Sequence, residues 1–181
     1  MTELDIQRQD CSLRQKKGLY FILASIMIWT AVTVVHLTSL PILTQNLLTF
    51  CCTAPLLPLA YGISRMLKID FEGKGNPLTK LGILFSLNQM LYLIIAMWLY
   101  PTIPAKMVMA TAIIFGAPLL PYGWLYPSRS YYVAAVAIPI ISLGAGLWFP
   151  PFAVDSILAL VELFFLLSFF YENRKLSMFL P

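Results

Sequence analysis

The sequence predicts an all-α membrane protein, a bundle of six transmembrane helices, and three observations carry that prediction. First, 60% of the 181 residues are hydrophobic and only 11% are charged, against roughly a quarter charged in soluble domains, and the mean hydropathy is +0.81. A water-soluble fold of this composition would expose apolar patches far larger than monomers tolerate. Second, Lys, Arg, Asp and Glu are absent from 18 to 64, from 81 to 105, from 107 to 128 and from 130 to 154. Each block is long enough for at least one crossing of about 20 residues. Third, the apolar blocks are unbroken and not striped, which excludes disorder and a coiled coil.

A charged segment, 1–17, precedes span one at 18 to 38. Arg14, Lys16 and Lys17 ahead of an apolar run resemble a signal peptide, but the run is too long and no small-residue cleavage site follows, so it reads as a retained signal anchor. Leu40-Pro41 turns the chain into span two, 42 to 64, because Pro suits the first turn of a new helix and disfavours helical geometry just before itself. Asn76-Pro77, an N-cap followed by Pro at the first helical position, opens span three, which runs to about Tyr100 before Pro101 and Pro104 break it. Span four covers 105 to 126, and Pro127 and Ser128 turn the chain into span five, 130 to 149. Pro150-Pro151 leads into span six, 153 to 171, and 172–181 is a tail.

Basic residues near span ends are retained on the cytoplasmic side. With the N-terminus inside, Arg8, Arg14, Lys16, Lys17, Arg65, Lys68, Lys74, Lys80, Arg129, Arg174 and Lys175 are cytoplasmic and only Lys106 lies outside. The threading therefore puts both termini in the cytoplasm of a bacterial inner membrane. It also accounts for a pI near 9.0 without nucleic acid as a partner, since the basic residues are scattered and no reading helix carries them. Cys11, Cys51 and Cys52 give no disulfide framework and read as small apolar residues. Trp29, Trp98, Trp124 and Trp148 fall mostly towards span ends, where aromatic belts form.

An internal echo is visible. Ala54-Pro55-Leu56-Leu57-Pro58 recurs as Ala117-Pro118-Leu119-Leu120-Pro121, and each copy is followed by a Tyr-Gly pair, Tyr61-Gly62 and Tyr122-Gly123. The common orientation indicates a parallel hairpin repeat across spans one to four. Each Pro removes a backbone donor, so the carbonyls of Cys51, Ala54, Ile114 and Ala117 should lack their usual partners. Interrupted helices at matching positions point to a binding site in the bilayer interior. Alternatively, Pro55, Pro58, Pro118 and Pro121 kink both helices so that the bundle closes.

Polar residues within the spans are the candidate site. A carboxylate at a helix centre costs roughly 2.5 to 3.5 kcal/mol on insertion scales, so each needs compensation. Asp155 reads as the N-cap of span six. Glu162, seven residues further on the same face and so roughly 10 Å deeper, has no such role; it acts either as a hydrogen-bond donor in packing or as a proton-coupled site. His36, Gln45, Asn46 and Lys106 lie at the same outer end and together with Asp155 and Glu162 would make one polar pocket for a ligand or proton. His36 also fits an interfacial side chain, and Lys106 a snorkelling one. Asn88-Gln89 in span three reads as interhelical glue or as ligand contacts, at least one of the two bridging helices. Gly144-Ala145-Gly146 and Ala112 with Gly116 offer small surfaces for close packing.

One His with two adjacent Cys cannot supply a zinc site, and neither haem nor any other cofactor is indicated. No nucleophile elbow, phosphate loop or dinucleotide fingerprint occurs, and an intramembrane enzyme using Glu162 and His36 would lack a nucleophile or metal. The stretches Asn46-Leu47-Leu48-Thr49-Phe50-Cys51-Cys52, Phe85-Ser86-Leu87-Asn88-Gln89 and Lys106-Met107-Val108-Met109 resemble an uncharacterised family of small bacterial multi-pass integral membrane proteins. The resemblance covers most of the chain and implies a topology but no activity or site residues. The expected function is a small permease or channel-like carrier in which Glu162 titrates and a solute or proton crosses. The alternative is a non-transporting accessory or sensor whose polar residues hold the bundle together. Its surroundings are the lipid bilayer, and it is either a complete unit or one half of a homo-oligomer.

Overall fold

The computed structural model describes residues 2–73 and 75–178. Lys74 and the side chains of Arg174 and Lys175, counted above among the cytoplasmic basic residues, lie outside the described residues. The regular structure among the described residues is helical: α1 (Glu3–Arg14), α2 (Leu19–His36), α3 (Ile42–Thr53), α4 (Leu56–Met66), α5 (Pro77–Thr102), α6 (Met107–Gly116), α7 (Leu119–Leu125), α8 (Arg129–Trp148) and α9 (Pro151–Met178). Short 3-10 turns sit at Lys16–Gly18 and Pro104–Lys106. Among the described residues five stretches are long and apolar enough to cross a membrane, and α3 with α4, bent by 43° at their junction, pass the same test as a pair, which makes six if the pair is one interrupted span. The chain is thus an all-α multi-pass membrane protein.

Local chemistry sets the helix ends. The Asn76 side chain accepts from the Leu78 amide at 3.0 Å, which satisfies one of the orphan donors opening α5. Pro101 does not end α5, which continues through it to Thr102. In the last turn a proline forfeits only one backbone bond. At the start of α9, Pro151 takes the first helical position, and the amides of Ala153 and Val154 bond to the Pro150 carbonyl. Asp155 is therefore not an N-cap. It lies inside the helix.

α2 is central, packed against α9, α4 and α3, while α6 packs against α8, α5 and α9. Trp29 belongs to this core, not to an interfacial belt: it is buried, with its ring edge-on to Phe115 at 5.7 Å. Trp98, Trp124 and Trp148 do lie on the surface. That surface is apolar, with Leu91, Ile94 and Ile95 of α5, Val133, Val136 and Ile140 of α8, and Leu160, Phe164 and Leu167 of α9 all exposed. Such a rim is what acyl chains solvate. The small residues divide: Gly116 abuts Ile138 and Pro139, and Gly146 abuts Met109, but Gly144 has nothing within 4 Å.

α1 folds across one end of the bundle. Arg8 donates to the Trp124 carbonyl and sets its guanidinium 4.6 Å from the Trp124 ring. Ser12 Oγ donates to the Tyr126 carbonyl at 2.9 Å. Asn76 Nδ2 reaches the Gln7 carbonyl at 2.8 Å and Asp10 Oδ2 at 3.0 Å. The loops joining α2 to α3, α5 to α6 and α8 to α9 lie at the opposite, distal end.

Candidate functional site

The single polar pocket expected at the outer end does not form, and its members separate into two buried centres. Gln45 Nε2 donates to the Thr38 carbonyl across its own loop at 2.8 Å. Lys106 Nζ donates to the Gly146 carbonyl at 2.5 Å, which satisfies an orphan acceptor near the end of α8. Each thus bonds to a backbone carbonyl and neither to Asp155 or Glu162. What stays together at the distal end is His36, Asp155 and Asn46. His36 Nδ1 lies 2.8 Å from Asp155 Oδ2 and 3.1 Å from the Val32 carbonyl, and the side chains of the pair are 1% and 0% exposed. His36 is thus no interfacial side chain. Asn46 Nδ2 donates to the Pro104 carbonyl at 2.9 Å, which fixes the amide. His36 Nε2, Asn46 Oδ1 and Asp155 Oδ1 are buried with no partner among the described residues.

Glu162 forms the other centre, deeper in the bundle. The seven-residue spacing on α9 turns it, like Asp155, towards α2, where Ser25 Oγ donates to Oε1 at 2.9 Å. Beside it is a cavity of about 50 Å³ whose polar lining is Ser25, Ser86, Gln89, Tyr122, Tyr131 and Glu162. The two members of the Asn88-Gln89 pair part: Gln89 is buried on this cavity and Asn88 is exposed on the outer surface.

Both copies of the repeated pentapeptide converge here. α3 ends at Thr53 and α4 begins at Leu56; α6 ends at Gly116 and α7 begins at Leu119, the same residues of the motif in each copy. Leu56 and Leu119 line the Glu162 cavity. The interruption is repaired partly within the chain, since the Ala117 carbonyl accepts from the Leu120 amide at 3.2 Å, a tighter turn than the usual one. The copies are not equivalent, because only the α3–α4 junction is bent by more than 40°.

From the cavity a set of hydroxyls leads to the α1 end. Tyr122 OH donates to the Gly82 carbonyl at 2.7 Å and shares a 2.5 Å contact with Ser86 Oγ. Tyr131 OH donates to the Lys17 carbonyl at 2.8 Å. Tyr126 OH donates to Gln15 Oε1 at 2.5 Å, and Gln15 Nε2 to Thr79. At the rim, Glu172 accepts from Ser128 Oγ and the Ser130 amide and pairs with Lys17 at 3.2 Å. Sequence reasoning missed Ser25, Ser86 and the three tyrosines. One signal was present: Ser86 and Gln89 are three residues apart, hence on one face of α5, as are Tyr122 and Tyr126 on their own segment.

Chemically, the Glu162 centre offers one carboxyl, hydroxyl and amide partners, and space for about three waters at roughly 15 Å³ each. It can hold and release a proton or bind a small polar molecule. Among the described residues no group of three or more His, Cys, Asp or Glu side chains converges to hold a metal ion. No curated protein and no solved structure matches the chain. A family model does, over residues 4–172. The chain therefore belongs to the family of unknown function designated DUF7010, as a multi-pass, all-helical membrane member of it.

Proposed function

We propose that the protein is a small permease or channel-like carrier, with the α1 end and both termini in the cytoplasm of a bacterial inner membrane, and with Glu162 as the group that couples a proton or small polar solute to movement. One observation supports this reading above the others: a buried carboxyl shares its cavity with Leu56 and Leu119, the residues at which two spans restart after matched interruptions. Broken helices around a mid-membrane polar site are the arrangement in which transporters bind their cargo.

The test is flux in proteoliposomes. Wild-type protein should dissipate an imposed pH gradient or take up a solute from a panel of small polar compounds, and Glu162→Gln, which keeps size and removes the exchangeable charge, should abolish it while the protein still folds. Wild-type liposomes that stay tight across the panel would refute the carrier. The alternative, a non-transporting accessory or sensor, is favoured by the way α1 seals one end through Arg8, Ser12 and Gln15. Under it, Glu162→Gln changes stability alone. Orientation is checked separately in intact cells: a thiol introduced at 103 should be labelled from outside, and one at 70 protected.

A further inference from the structure

The distal cluster has more acceptors than donors. Around the imidazole of His36 stand the Val32 carbonyl, the Asp155 carboxylate through Oδ2, and the side chain of Asn46, whose Oδ1 has no partner among the described residues. A neutral imidazole supplies one N–H to this set, and an imidazolium supplies two. The Nδ1 hydrogen is aligned on Val32, so Asp155 Oδ2, although 2.8 Å away, receives no aligned hydrogen bond. A neutral ring beside an ionised Asp155 would then leave a fully buried carboxylate facing no positive charge, a costly arrangement in a bundle interior.

Among the described residues no other cation stands beside the pair. Of the elements packed against α2, α9 brings Asp155, α3 brings the neutral Asn46, and both α4, with its one charged residue Arg65, and the 3-10 turn with Lys16 and Lys17 have their cations at the opposite end. Lys106 is engaged by the Gly146 carbonyl. Glu162 is seven residues further along α9 and faces Ser25. No group of three or more His, Cys, Asp or Glu side chains that could hold a metal ion is seen at this cluster among the described residues. A proton is the one cation that needs no room of its own.

We propose that His36, Asp155 and Asn46 form a second proton-binding site, distinct from Glu162, in which His36 takes up a proton on its free ring nitrogen. The proton comes from solvent at the distal end and forms an N–H bond with the Nε2 lone pair, giving an imidazolium whose charge is balanced by Asp155 and whose second N–H turns towards Asn46 Oδ1. Because Asn46 belongs to α3, loading ties the first half of the broken span to α2 and α9, and unloading frees it. In a carrier of the kind proposed above, this is the outer station that fills before Glu162. Only that role depends on the carrier reading; the binding of the proton does not.

His36 is the sole histidine, so 15N-histidine labelling of the full chain, purified on a tag without histidine and placed in lipid nanodiscs, gives a single imidazole spectrum. At about pH 6, near the ordinary titration of histidine, the expected wild-type result is two protonated ring nitrogens at imidazolium shifts. Asp155→Asn, which keeps shape but removes the counter-charge, should give a neutral ring at the same pH. A neutral single tautomer in the wild type overturns the proposal, and this arm needs no variant to fold. Imidazolium that persists in Asp155→Asn also overturns it, because the carboxylate would then not hold the proton. Imidazolium in liposomes without flux keeps this site and removes the carrier; a neutral ring in protein with Glu162-dependent flux does the reverse.

Discussion

Substituting Gly116 by Ala tests the central helix contact with a defined sign. A Cβ at Gly116 would fall 2.6 Å from Ile138 Cγ2 and 2.9 Å from Pro139 Cδ, whereas carbon atoms settle at about 3.5–4.0 Å. α6 and α8 must therefore part by about 1 Å. Neither neighbour can swing aside, since Ile138 is β-branched and held to one rotamer in its helix and Pro139 is a closed ring. Over-packing of this kind costs about 1–3 kcal/mol, offset by at most about 1 kcal/mol from the better helix propensity of Ala. With the full offset the net expectation is a loss of up to about 2 kcal/mol. Gly144 is the internal control. With nothing within 4 Å of its Cβ, Gly144→Ala should gain up to about 1 kcal/mol from propensity alone. Both are read from unfolding in mixed micelles titrated with a denaturing detergent. Equal shifts of the same sign in the two variants would show that α6 and α8 are not in close contact at Gly116, and the placement of the cavity between the spans would fall with it.

Three further outcomes follow from named contacts. Ser25→Ala removes the hydroxyl that donates to Glu162 and should cost about 1–3 kcal/mol, so a variant as stable as wild type in the same detergent titration would show that the bond is not made. Asp10 is held below the usual carboxylate range first by the Asn76 amide and then by Arg14. Because its folded pKa is depressed, the anchoring of α1 is fully present above about pH 4 and is lost as pH falls through the folded value. Hydrogen exchange in α1 should rise there by an amount worth a few tenths of a kcal/mol, as for other exposed pairs, and Asp10→Asn should remove that pH dependence. Cys11 is 1% exposed and burial pushes its thiol up to about 11, so in a background without Cys51 and Cys52 it should resist maleimide at neutral pH. Arg8→Ala, which loosens α1 from Trp124, should speed labelling, and rapid labelling of the otherwise unchanged protein would contradict the docking of α1.

The fold was legible because lipid simplifies the rule. Charge-free blocks and prolines at their ends mark where helices start, and Asn76-Pro77 opens α5 where it reads. Ends near Pro101 and Pro151 were misplaced because a proline in the last turn or at the first position is compatible with a helix. That error turned Asp155 from a buried neighbour of His36 into an apparent cap. Glu162 was legible as an anomaly in an apolar run, but its partner was not, since Ser25 is one of many small polar residues that membrane helices tolerate. Gln45 and Lys106 were grouped with the carboxylates by depth alone. Depth fixes one coordinate, and the side of the helix on which a nearby carbonyl waits decided the other two.

The repeat also shows why identical motifs behave differently. Pro118 keeps helical angles, φ −65° and ψ −12°, while Pro55 moves to φ −81° and ψ 18°. The distinction lies in what surrounds them. Past the second copy, Gly123 lies where a Cβ would be 3.1 Å from the Tyr132 ring, and Gly116 abuts Ile138, so α6 and α7 are held to α8 on both sides of the break. Past the first copy, the matching Gly62 has nothing within 4 Å. The same pentapeptide is therefore clamped on both sides in one span and left free to bend by 43° in the other. If one of the two interrupted spans moves when Glu162 or His36 changes its proton, contact energy selects α3–α4, the span that Asn46 tethers at the distal end and no close-packed glycine holds at the other.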